Sequence, residues 1–221
     1  MNRFLEGYRR INQKYRVLGM SWQMLMSLAF VVLALLLALL CPASPWKWWC
    51  FVAMGLSFLG DVMLTPASLF GKLWKGDPLV FGGTAFGFAH MAYAFCFYRK
   101  AQHFGSLSPF CAAFGGGLFV LAVIGLVLCH RRNPKEDRNY PLLFGILFYA
   151  ALICLNCTMV FGSALAAKNA GGWISVAGAL SFYVSDAILL CGAIGPKKIA
   201  YYDEWIWVFY PLGQLLLVAC A

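Results

Sequence analysis

Apolar residues along this chain come in runs of about twenty, separated by short stretches that collect Lys, Arg, Gly and Pro. Seven such runs stand out, over residues 20–41, 46–66, 79–98, 108–129, 141–167, 173–194 and 204–221. A helix needs about 20 residues, at 1.5 Å each, to cross the hydrocarbon core of a bilayer, and every run is close to or above that length. The runs are rich in Leu, Phe and Ala, whereas a transmembrane barrel would show short alternating strands. Glycines recur at the spacing of tightly packed helices, as in Gly83–Gly87 and Gly115-Gly116-Gly117. The pattern predicts an all-α, polytopic transmembrane helix bundle with seven spans, forming a single domain over residues 20–221.

Residues 1–19 carry a different pattern. Phe4, Tyr8, Ile11, Tyr15 and Leu18 recur every three or four positions, with Arg3, Arg9, Arg10, Lys14 and Arg16 between them. That spacing predicts an amphipathic helix lying on the inner leaflet. A cleaved signal peptide fits less well, because the apolar stretch from Met20 is longer than an ordinary signal core.

Composition agrees with the spans. Of 221 residues, 62% are hydrophobic and 11% charged, and the mean hydropathy is +0.77. A water-soluble domain carries about 25% charged residues, so this chain cannot coat a water-facing surface. The net charge of +9 would ordinarily suggest nucleic acid, but the basic residues sit in loops between spans. Besides the five at the N-terminus, Lys72, Lys75, Arg131, Arg132, Lys135, Arg138, Lys197 and Lys198 fall on one side. Only Lys47, Arg99, Lys100 and Lys168 fall on the other. The positive-inside rule then places the N-terminus in the cytoplasm and the C-terminus outside, in a multi-pass protein of the cell membrane. No nucleic-acid partner is needed to explain the charge. The nine cysteines lie mostly in apolar runs and read as small hydrophobes; Cys154 and Cys157 form a C-x-x-C without the strand–helix setting of a redox motif.

Inside a bilayer the polar residues carry the information. Of eight acids, only Asp61 and Asp186 lie well within apolar runs. A charged Asp at the centre of a span costs ~2.5–3.5 kcal/mol even on the lenient insertion scale, so two without a cation nearby point to a shared site. Both fall in the cytoplasmic half of the bundle. Around them, Ser57, Asp61 and Thr65 share one helical face, and Tyr183 and Ser185 stand near Asp186. His90 and Tyr93, Tyr149 and Asn156, and Tyr210 and Gln214 give polar faces to three further spans. Pro211 loosens the helix beside Tyr210 by removing a backbone donor. Each pair alone reads as packing; together they predict a polar cavity within the bundle. A zinc site could just be assembled from Asp61, Asp186 and His90, but a second histidine is missing from the spans, and no metal or cofactor is expected.

Four segments also resemble a known family. Gly55-Leu56-Ser57-Phe58-Leu59-Gly60-Asp61-Val62-Met63-Leu64 is similar to the first signature of the YhhN-type lysoplasmalogenases. Phe86-Gly87-Phe88-Ala89-His90-Met91-Ala92-Tyr93 resembles their His-x-x-Tyr segment. Gly178-Ala179-Leu180-Ser181-Phe182-Tyr183-Val184-Ser185-Asp186-Ala187-Ile188-Leu189-Leu190 resembles their Ser-Asp segment, and Tyr210-Pro211-Leu212-Gly213-Gln214 their closing Tyr-x-x-x-Gln. The segments occur in family order from residue 55 to 214. Members are generally drawn with eight spans, one more than this chain shows.

The resemblance implies hydrolysis of the vinyl ether bond of a lysophospholipid, releasing a fatty aldehyde and a glycerophospho-base. Asp61 and Asp186 would be the acid–base pair. Ser57, His90, Tyr93, Tyr149, Asn156, Tyr183, Ser185, Tyr210 and Gln214 would bind substrate. Two rival readings use the same acids. Intramembrane aspartyl proteolysis lacks its Gly-x-Gly-Asp pattern here, since Phe58 replaces the first glycine. A proton-coupled transporter could relay protons through buried carboxyls, but the chain shows no internal two-fold repeat.

Overall fold

The computed structural model describes residues 6–7, 16–17, 20–64 and 77–221. Seven long helices account for most of them: α1 (Trp22–Leu40), α2 (Lys47–Leu64), α3 (Pro78–Phe104), α4 (Phe110–Arg131), α5 (Tyr140–Ala167), α6 (Ala170–Ile194) and α7 (Tyr202–Cys220). Ahead of α1, Arg16–Val17 pair antiparallel with Met20–Ser21 as a two-residue ladder. The rest of the amphipathic segment expected over 1–19 lies outside the described residues, as does Thr65, apart from 6–7, which are helical.

The helix ends follow from the sequence. Asp77 caps α3 by accepting from Leu79 N at 2.9 Å, with Pro78 opening the first turn. Asn139 caps α5 through Leu142 N, and Asn169 caps α6 through Gly172 N. Between α5 and α6 the chain reverses at Lys168, whose φ of 49° puts a non-glycine residue in the left-handed region. Six helices are long and apolar enough to cross a membrane by length and composition alone: α1 to α6. α7 opens with Asp203 and Glu204 and contains Pro211, which lowers its apolar content. Its packing nevertheless runs the full depth of α6. Tyr202 Oη donates to Leu189 O, Ser185 Oγ to Ile206 O, and Ser181 Oγ to Phe209 O. Ser175 Oγ meets Cys220 O at the far end. α7 is thus an antiparallel partner of α6 through the same thickness.

α3 continues to Phe104, beyond the expected end at 98, because Arg99 and Lys100 are part of the helix and not of a loop. Lys100 is buried; its ammonium lies 5.5 Å from the Phe97 ring and donates to Cys220 O, closing the C-terminus of α7. The core lies among α3, α5 and α6, each about half buried, with α1 and α4 at the periphery. All nine cysteines are free, and Cys157 Sγ points at Ala179 O at 3.6 Å, so the C-x-x-C packs helices together.

Glycine sets the closest helix approaches, though at other positions than the sequence clusters imply. A Cβ on Gly213 would stand 2.8 Å from Phe182 N and 2.9 Å from Gly178 O, both backbone atoms of α6. One on Gly178 would meet Leu216 and the Gly213 carbonyl. Gly87 and Gly115 do face neighbours, but Gly83, Gly116 and Gly117 face open space. Gly213→Ala should therefore push α7 off α6 and destabilise the protein by about 1–3 kcal/mol, the usual cost of overpacking. Gly116→Ala, on an exposed helical face, should be neutral or stabilising by up to ~1 kcal/mol. Thermal unfolding of the two variants in detergent measures the difference; equal melting temperatures would contradict this packing.

Candidate active site

Asp61 and Asp186 are both almost completely buried, at 5% and 4% exposure. Burial strips a carboxyl of water, so each must collect donors from the protein. Asp186, on α6, accepts from Tyr149 Oη of α5 at 3.1 Å and lies 3.1 Å from His90 Nε2 of α3. The other ring nitrogen, His90 Nδ1, is 3.4 Å from Asn156 Nδ2. Both contacts are satisfied if Nε2 carries the hydrogen toward Asp186 and Nδ1 accepts from Asn156. Asp61, on α2, accepts through Oδ2 from Tyr210 Oη of α7 at 2.7 Å and from Ser27 Oγ of α1.

The two carboxyl groups are thus held by separate donor sets. Phe182 sits between the sets, its ring edge-on to His90 at 4.7 Å and to Tyr210 at 5.2 Å. Phe86 closes on Tyr210 from α3 at 5.8 Å. A third polar contact lies alongside, where Tyr93 Oη meets Gln214 Oε1 at 2.5 Å and Met54 Sδ at 2.7 Å. Ser57 Oγ, Asn156 Oδ1 and Gln214 Nε2 are buried polar atoms without a hydrogen-bond partner among the described residues.

An apolar cavity of about 660 Å³ runs between α3 and α5 toward this cluster. Its mouth is formed by the first turns of the two helices, at Asp77, Leu79, Asn139 and Pro141. Its inner wall includes Phe86, Gly87, Leu152 and Tyr149. Phe88, Met91 and Phe148 line it while remaining exposed on the outside of the bundle, so the cavity is open to the lipid side. Tyr149 belongs to both features: it lines the cavity and binds Asp186.

The family model of the YhhN family matches residues 21–221, a stretch that holds all seven helices and both carboxyls. The chain belongs to the YhhN family. No curated protein and no solved structure matches it.

In this YhhN protein most of the polar positions noted in the sequence do converge. Asp61, Asp186, His90, Tyr149, Asn156, Tyr210, Tyr93 and Gln214 form the groups above, and Ser57 is buried on the Asp61 helix. Tyr183 and Ser185 do not join them. Tyr183 Oη donates to Leu118 O of α4 and Ser185 Oγ to Ile206 O of α7, so both hydroxyls tie helices together and point away from Asp186. Ser27 is the residue sequence reasoning missed. Its only signal was a buried-type position, four after Gln23, in an otherwise apolar α1. Among the described residues no three His, Cys, Asp or Glu side chains converge as a metal set, and Asp61 sits with Ser27 and Tyr210 while Asp186 sits with His90.

Ser27→Ala removes one donor from a buried carboxyl while leaving Tyr210 in place. The variant should insert normally and lose about 0.6–1.7 kcal/mol of stability, the span measured for hydrogen bonds between membrane helices. In an Asp61→Asn background the same change should cost less, because the carboxyl it serves is gone; a double-mutant cycle read by thermal unfolding tests this.

Proposed function

We propose that this protein hydrolyses the vinyl ether bond of lysoplasmalogens, 1-alkenyl glycerophospholipids with a choline or ethanolamine head group, to a fatty aldehyde and a glycerophospho-base. The observation that carries this reading is the Tyr149 hydroxyl. Its residue lines an apolar, lipid-open cavity of about 660 Å³, and the hydroxyl itself donates to Asp186 at 3.1 Å. A cavity of that size and lining suits a single-chain lipid. YhhN family membership supports the same reaction.

The chemistry needs what the site holds. An enol ether is cleaved by protonation of its β-carbon: the double-bond electron pair forms the new C–H bond and an oxocarbenium ion remains. Water adds to the cationic carbon and gives up a proton, restoring the donor. The hemiacetal then collapses to an aldehyde and the glycerol hydroxyl, consuming one water overall. Asp186 and His90 stand 3.1 Å apart, close enough to pass a proton, and Tyr149 bonds Asp186 while lining the cavity. Asp61 lies on the far side of Phe86 and Phe182, where a negative charge would stabilise the developing cation in a low-dielectric site. Ser57, Asn156 and Gln214 offer unpartnered polar atoms for the attacking water and the glycerol hydroxyl. Placed in the cell membrane with a cytoplasmic N-terminus, the cavity mouth opens on the inner leaflet, where the substrate would enter from the side.

Asp186→Asn and Asp61→Asn preserve side-chain volume and should each lower kcat by at least ~10²-fold, the lower range for loss of a positioned acid or base. Tyr149→Phe should also impair turnover, whereas Tyr183→Phe, whose lost hydroxyl serves Leu118 O and neither carboxyl, should leave it within about twofold. Aldehyde release by purified protein in detergent measures all four. Near-normal turnover by well-folded Asp186→Asn would exclude the mechanism.

Carbon protonation makes the double bond indispensable. The saturated 1-alkyl lysolipid should bind with affinity near that of substrate, inhibit competitively and resist cleavage. In heavy water, one deuterium should appear at C2 of the aldehyde in a short incubation. An aldehyde without deuterium at that carbon would place the first proton elsewhere.

A further inference from the structure

Among the described residues that line the cavity, Asp77 is the one formal charge. It stands at the mouth, exposed, and its carboxylate is only half engaged. Oδ1 accepts from Leu79 N at 2.9 Å as the cap of α3, and Oδ2 has no partner among the described residues. On the opposite lip, Asn139 follows the charged run Arg131, Arg132, Lys135, Glu136, Asp137 and Arg138, whose four bases outnumber its two acids. The mouth therefore offers a negative point next to a positive loop, the arrangement that complements a zwitterion.

The depth of the cavity fits such a ligand. Tyr149 stands about 14 Å along α5 from Tyr140, at 1.5 Å per residue. In a choline or ethanolamine lysoplasmalogen, roughly eleven bonds separate the ammonium nitrogen from the β-carbon of the vinyl ether, about 13 Å when extended. An ammonium at the mouth would thus bring the reacting carbon to the level of Tyr149. On the reading above that this cavity binds a lysolipid, we propose that Asp77 is the head-group selector: its carboxylate pairs with the substrate's ammonium and favours choline and ethanolamine lipids over those without an amine.

The test uses the full-length protein in detergent and two uncleavable probes, 1-alkyl lysophosphocholine and 1-alkyl glycerol-3-phosphate, which share a chain and differ in the amine. Asp77→Asn keeps the helix cap, since Asn serves as well as Asp there, and removes the charge. It should weaken the choline probe about 3–5-fold, the size of one exposed ion pair, and leave the phosphate probe unchanged or tighter. Asp77→Ser, a second capping variant, should behave alike, and both should melt near the wild-type temperature. In turnover, the loss should appear in KM for the choline substrate with kcat unchanged. Equal shifts for both probes, or none, would overturn the selector role while leaving the hydrolase reading intact. Failure of wild-type protein to bind either probe would overturn both.

Discussion

Two carboxyls buried within a membrane-spanning bundle determine much of how it is assembled. A carboxyl deprived of water must find donors within the protein or be expelled, and among the described residues no Lys or Arg bonds either one. The buried Lys100 sits about 15 Å further along α3 than His90 and is committed to the end of α7. The donors must therefore be neutral side chains on other helices. Asp186 draws α3 and α5 against α6 through His90 and Tyr149, and Asp61 draws α1 and α7 against α2 through Ser27 and Tyr210. Six of the seven helices are thus pinned by two side chains; α4, which supplies no donor to either, is among the least buried.

Hydrogen bonds of this kind are short-range, so they require the backbones to come close first. Lipid tails offer helices no hydrophobic reason to associate, which leaves surface fit to do so. The α6–α7 pair shows how: Gly178 and Gly213 oppose each other, and the serines at 175, 181 and 185 then reach carbonyls of α7. Pro211 helps because it has no backbone N–H to give to the helical ladder, which lets α7 adapt beside Tyr210. Stability and the placement of Tyr210 against Asp61 are in this way the same problem.

That double use explains what could and could not be seen in the sequence. Seven helices were legible because apolar run length is nearly the whole signal in a membrane. The end of α3 was not, because Arg99 and Lys100 look like loop residues unless one knows that a carbonyl of α7 waits for the ammonium. Asp61, Asp186, His90 and Tyr149 stood out as polar groups with no reason to be buried. Tyr183 and Ser185 stood out equally, since nearness in sequence to Asp186 does not reveal that their hydroxyls leave on other faces of α6 and meet backbone oxygens. Ser27 was invisible for the opposite reason: a single serine is tolerated anywhere in a span, and only the fold brings α1 beside α2.

The separation of the two carboxyls also bears on what they can do. Aspartyl proteolysis depends on two acids sharing one proton and one water, which demands direct contact between them. Here each carboxyl has its own donors, and Phe182 stands edge-on between the two sets. Such an arrangement suits unequal roles. The group nearer the cavity is Asp186 with His90 and Tyr149, and Tyr149 lines that cavity. Asp61 lies behind aromatic rings, without a position among the cavity-lining residues, and can act across them only through its charge. A reaction that needs one proton delivered to carbon and one positive charge held until water arrives asks for that division, and the helices that supply the donors enforce it.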